Sequence, residues 1–217
     1  MLRLITTAVL SILLAPGGVA QSAPTTKPTV KPESAFVSSE KYANAFFGFS
    51  LALPQDPHIR NLIVPTPDSS QHSLFGLQAQ TNGLTALSIT AIETSGGASD
   101  EDAKKVASTS DAQDVRKIAI GGKQFWKCES QQERAGNKMR SLTYAAALNG
   151  YVVKFLVISF DPKLADELEH SIESLKFFDP AKAKEMAGPN SQPYSVTEKG
   201  LQNQFWRAPN STPEAAM

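Results

Sequence analysis

The chain has 217 residues, 21 Lys plus Arg against 21 Asp plus Glu, 41% apolar residues and one cysteine. That length accommodates one domain of about 140 residues with loose ends. A formal net charge of zero argues against a nucleic-acid-binding surface or a polybasic membrane-surface protein. The apolar fraction suits a packed core, and a single cysteine excludes an intramolecular disulfide framework and a multi-cysteine metal cluster.

Residues 1–20 read as a secretory signal. Arg3 forms the basic end, Leu4 to Ala15 form a short apolar run, and Gly18-Val19-Ala20 supplies small residues at the cleavage site. The expected mature chain starts at Gln21 and is exported, periplasmic or secreted. The apolar run is shorter than the roughly 20 residues that span a bilayer, and no later stretch is apolar enough to do so. Residues 21–40 read as a Pro/Thr-rich linker, with Pro24, Pro28 and Pro32 four apart.

The domain is expected over 41–178. Phe46 to Pro54 reads as a first strand that ends in proline. A Pro-rich loop follows over 54–70, with Leu62-Ile63-Val64 as an apolar island. Ser73–Gln80 and Leu84–Glu93 flank Asn82-Gly83, the pair that favours a tight hairpin turn. In the second strand Leu87, Ile89 and Ala91 face one way, and Ala86, Ser88 and Thr90 the other. Ser99 caps a short helix with Asp100, Glu101 and Asp102 in its first turn, where the helix dipole favours acids.

Four strands come next: Val115–Ile120, Gln124–Arg134, Lys138–Leu148 and Tyr151–Phe160. Gly121-Gly122, Gly136-Asn137 and Asn149-Gly150 join them, which predicts an antiparallel meander. The last strand is apolar on both faces apart from Lys154, the pattern of a central strand covered on both sides. Asp161-Pro162 then starts a helix expected to reach Phe177, with Leu164, Leu168, Ile172 and Leu175 as its buried stripe. Residues 179–217 read as a flexible tail, with a short helix expected near 195–207 carrying Leu201, Phe205 and Trp206.

Catalytic and metal chemistry find little support. His58 lies in the Pro-rich loop, His72 at a strand edge and His170 on the polar side of a helix. No nucleophile elbow, zinc-binding helix motif or phosphate-binding glycine loop occurs. Lys127, Glu129 and Glu133 alternate along a strand and read as a solvated sheet face. Cys128, beside Phe125 and Trp126, reads as a buried small hydrophobe. No catalytic, metal or cofactor-binding residue is assigned, and no cofactor is expected.

Tyr42-x-Asn44-x-x-Phe47-Gly48-Phe49-Ser50-x-x-x-Pro54 resembles the opening of PsbP-like and Mog1-like domains. Asn149-Gly150-Tyr151 and Ser174-Leu175-Lys176-Phe177 are similar to the ending. The resemblance covers residues 40–178. It implies an α+β fold, an α/β/α sandwich with a mostly antiparallel central sheet and helices on both faces. It also implies a binding or assembly role.

The expected function is a non-catalytic exported module that acts on a protein or cell-envelope partner, with Leu201, Phe205 and Trp206 either docking on the domain itself or serving as partner contacts. The alternative is a small hydrolase or ligand-binding enzyme with its site in the 54–72 region, using His58 and His72. A deep polar pocket would favour the enzyme, and a shallow surface with an apolar patch would favour binding.

Overall fold

The computed structural model describes residues 30–62, 69–80, 84–108, 114–134 and 136–194. The signal, most of the linker, and Leu201, Phe205 and Trp206 therefore lie outside the described residues. In chain order the elements begin with β1 (Ala35–Val37), β2 (Lys41–Asn44), β3 (Phe49–Ala52), β4 (Arg60–Asn61), β5 (Gln71–Gln80) and β6 (Leu84–Glu93). Next come α1 (Asp100–Ala107), β7 (Asp114–Ile120), β8 (Lys123–Arg134), β9 (Asn137–Leu148) and β10 (Tyr151–Ser159). The last are α2 (Pro162–Glu173), β11 (Lys176–Phe177), a 3-10 turn Pro180–Lys182, α3 (Ala183–Met186) and β12 (Gln192–Tyr194).

The hairpin signals build a seven-stranded antiparallel sheet in the order β4-β5-β6-β10-β9-β8-β7. At the β9–β10 turn, Asn149 and Gly150 have φ of 48° and 84°. That left-handed pair matches the strand twist and explains the Asn-Gly sequence there. The central strand β10 pairs with β6 on one side and β9 on the other, Phe155 lying opposite both Ile89 and Tyr144.

A second antiparallel sheet, β11-β3-β2-β1-β12, packs against the first. Tyr42 of β2 stacks on Phe75 of β5 with centroids 4.5 Å apart, and Phe49 of β3 meets Phe155 of β10 at 5.6 Å. Leu164, Leu168 and Ile172 of α2 join the same buried cluster. The class is α+β, with mostly antiparallel sheet. On the inner side a second sheet shares the layer with α2.

That second sheet draws on segments outside 41–178. β1 comes from the stretch read as linker, and β12 from the stretch read as tail; they pair Ala35 with Tyr194 and Val37 with Gln192. The opening motif has a physical basis here. Asn44 is fully buried; its Nδ2 donates to Pro32 O at 2.8 Å, and its Oδ1 accepts from the Phe46 and Phe47 amides. Those bonds make residues 45–48 a tight turn, so the strand expected from Phe46 starts only at Phe49. Gly48 has φ +66°, and a Cβ there would sit 2.4 Å from Phe178 O.

Both helix starts follow their caps. Ser99 and Asp102 form a reciprocal capping box, and the Asp161 side chain accepts from the Lys163 and Leu164 amides. The second helix stops earlier than its apolar stripe suggests. Ser174 Oγ donates to Ser171 O and accepts from the Ala52 amide at 2.7 Å, and Lys176 and Phe177 then pair with Ser50 and Phe49 as a strand.

Candidate functional site

Side chains alternate between the two faces of a strand, so register sorts the large sheet into an inner and an outer face. Tyr151, Val153, Phe155 and Val157 of β10 point inward with Ala91, Ile89 and Leu87 of β6. Val152, Lys154, Leu156 and Ile158 point outward with Ile92, Thr90, Ser88 and Ala86. Among the described residues, α1 covers the outer face over one end only, where Ala103 and Ala107 pack on Cys128, Ala145 and Val152. Cys128 is 2% exposed in that seam.

Beyond α1, no described element covers the outer face. Leu156, Ile158, Ala86 and Met139 are half-buried and Leu84 is 43% exposed, with Ser88, Ser141 and Gln78 between them. Among the described residues, β10 is covered on its inner side throughout and on its outer side at Val152. From Lys154 to Ser159, half-buried outer residues alternate with buried inner ones. Lys154 stands between α1 and this apolar strip, directly opposite Thr90 and Ala145. Burial pushes its ammonium below the ordinary lysine range.

The inner face holds an ion cluster where α2 crosses β8 and β9. Glu169 Oε1 accepts from Lys127 Nζ and from Tyr144 OH, each at 2.6 Å, and its Oε2 accepts from Arg140 Nη2 at 2.8 Å. Arg140 Nε reaches Glu129 at 2.8 Å and Nη1 reaches Asp166 at 2.7 Å. Burial alone would raise the Glu169 carboxyl, but the bonds from Lys127 and Tyr144 outweigh it and hold it below the ordinary glutamate value. Burial first, and then Glu169, push the Tyr144 phenol upward. The reading of Lys127 and Glu129 as solvated is corrected: both have inner parity, Lys127 bonds Glu169 of α2, and Glu129 pairs with Arg140. This cluster spends its polar atoms on one another, so it fixes α2 to the sheet.

The two histidines of the alternative site have separate partners. His58, in the loop before β4, has its Nδ1 2.9 Å from Asp56 Oδ1 and is largely exposed. His72 Nδ1 lies 2.6 Å from Glu33 and its Nε2 3.1 Å from Glu93, with the Tyr151 ring centroid 5.7 Å away. Two acceptor-only carboxylates on the two ring nitrogens suit the imidazolium, which alone has two N–H groups. Burial opposes that charge, but Glu33 and Glu93 prevail and raise the His72 pKa.

Among the described residues, no group of three His, Cys, Asp or Glu is placed to hold a metal ion. A shallow depression of about 780 Å³ is formed by one stretch of chain, including Lys182, Lys184, Glu185 and Asn190. Among the described residues, no helix is long and apolar enough to cross a membrane.

Sequence reasoning missed the Glu169 cluster and the open face. Both were readable from parity: Lys127 and Glu129 share the parity of the apolar Phe125, and Arg140 and Tyr144 lie four apart on one face.

The sequence matches no family model and no curated protein. The solved structures that match it in part include three. One, from Bacteroides thetaiotaomicron, is 14% identical over 64% of this chain with a TM-score of 0.42, and this chain spans only 48% of its length. Cyanobacterial PsbP from Synechocystis is 12% identical, with 70% of this chain and 96% of its own covered and a TM-score of 0.47. LpqN of Mycobacterium tuberculosis, described as involved in cell envelope biogenesis, is 15% identical, with 56% and 85% covered and a TM-score of 0.33. At such scores and identities the function has to be argued from this chain's own residues.

Proposed function

We propose that this chain is an exported, non-catalytic binding or assembly module that acts on a protein or cell-envelope partner. The observation that carries the reading is the outer face of the large sheet beyond α1. It is half apolar, and its exposed Leu84 continues into Ala86, Leu156 and Ile158. A face of that kind suits association by area, because burying apolar surface contributes about 25 cal/mol per Å². The polar clusters of the opposite, inner face support the same reading: Glu169, Arg140 and His72 hold internal partners.

Leu201, Phe205 and Trp206 enter this reading as a second set of partner contacts. Replacing both aromatics with Ala is expected to weaken capture without lowering the melting temperature. The main test is affinity capture from the envelope fraction of an exporting host, comparing the native chain with a Leu156→Lys, Ile158→Lys variant. The reading expects a defined species recovered by the native chain and lost with the variant, at unchanged melting. Equal recovery by both would remove the face from the account.

A further inference from the structure

The open face carries a charge pattern that narrows what it can bind. Strands β5 to β10 contain four carboxylates: Glu93, Asp114, Glu129 and Glu133. Register places all four on the inner side. Glu93 pairs with inward Tyr151, Glu129 with inward Leu142, and Asp114 lies opposite Glu129. Glu133 keeps the parity of Glu129 along the same strand. The outer side of these strands therefore has no acid of its own.

The outer side does have cations. Lys154 sits at its centre on the middle strand. No carboxylate is in ion-pair range of it among the described residues, and apolar neighbours lie along its own strand at Val152 and Leu156. Lys117 is also outward, opposite Trp126, but it is satisfied by Asp100 at 2.9 Å. Lys104 of α1 lies over the same indole, 5.1 Å from its centroid. The acids of α1 are committed at its N-terminus: Asp100 to Lys117, and Asp102 to the Ser99 cap. Glu101 is the exposed exception in that first turn.

A half-buried ammonium beside an apolar strip costs desolvation that no described carboxylate on this face offsets. A carboxylate brought in by a partner would offset it, while the partner's apolar groups cover Leu84, Leu156 and Ile158. We propose that the outer face binds a protein segment carrying an Asp or Glu among apolar side chains, with that carboxylate seated on Lys154. The inference rests on the binding role proposed above and adds the chemistry of the partner. A purely apolar surface would leave Lys154 covered without a counter-charge. A basic partner would meet repulsion at the centre of the contact.

The test uses the full-length chain in an exporting host. Capture is quantified for the species that the Leu156→Lys, Ile158→Lys variant loses. Lys154→Gln and Lys154→Glu are expected to cut its recovery about tenfold or more, and Lys154→Arg to keep most of it. Zero-length carbodiimide coupling of the native complex is expected to join the Lys154 amine to an Asp or Glu of the captured protein. Melting curves of each variant establish that the fold is intact.

Native-level recovery by folded Lys154→Glu would overturn the acidic-partner inference while leaving the binding role in place. Coupling of Lys154 to Glu198 or Glu214 of its own chain would also overturn it, since the face would then be covered from within. If the Leu156→Lys, Ile158→Lys variant captures as well as the native chain, the binding reading itself fails, and this inference with it.

Discussion

Glu169→Gln is the substitution that best probes how α2 is held to the sheet. The native carboxylate receives three donors: Lys127 and Tyr144 at 2.6 Å each, and Arg140 at 2.8 Å. The glutamine amide has one oxygen and an NH2 group that cannot accept, so at least one donor is left facing another donor. The Lys127 side chain is only 10% exposed, so water replaces little of the lost charge. Removing one partner of a buried pair costs about 3–5 kcal/mol. Arg140 keeps Glu129 and Asp166, which puts the expectation at the low end, about 3 kcal/mol.

For a domain of this size that corresponds to a fall in Tm of about 6–12 °C. Urea denaturation at pH 7 reads it as a lower midpoint with an unchanged slope. The effect also has a pH signature. Because the native carboxyl lies below its ordinary value of 4.5, its stabilisation is present above that pH and is lost as pH falls through the lowered native value. The gap between native and variant should therefore narrow in acid. A loss below about 1 kcal/mol at pH 7, or a gap that does not change with acid, would refute the reasoning.

Three further outcomes are expected. Gly48→Ala should destabilise by about 2 kcal/mol or more, because its φ is +66° and the new Cβ would meet Phe178 O at 2.4 Å; thermal melting checks this. Residues 30–194 should unfold cooperatively, whereas 41–178 should melt lower and less sharply, since it lacks β1 and β12 and uncovers Tyr42 and Phe75, both of which pack on Tyr194. His72→Asn should cost stability at pH 6 and little at pH 9: a raised native pKa gives stabilisation that is full below 6.5 and lost as pH rises through the native value, which paired denaturation curves would show.

Much of the large sheet was legible because its signals are local. Asn149-Gly150 names a turn type, Ser99 and Asp161 name helix starts, and the apolar alternation of Leu84–Glu93 names a buried face. The second sheet was not legible. β1 and β12 are three residues each, β12 contains Pro193, and their pairing joins residues far apart in the chain. No local pattern distinguishes such strands from a linker. The end of α2 was overrun because Leu175 continues the helical stripe, while a bond from Ala52 to Ser174, more than a hundred residues apart in sequence, redirects the chain. The Glu169 cluster was hidden for a related reason. Alternation says that Lys127 and Glu129 share a face, but only the position of α2 says that the face is covered.

The binding face is tested most directly by a positional scan with a photoreactive residue in the exported chain. Leu84, Leu156 and Ile158 report on the outer face, and Lys163 on α2 and Lys182 on the 3-10 turn serve as exposed controls. The account predicts one discrete crosslinked species from the three outer-face positions and none of it from the two controls. The same species formed equally from Lys163 or Lys182, with none from Ile158, would contradict it.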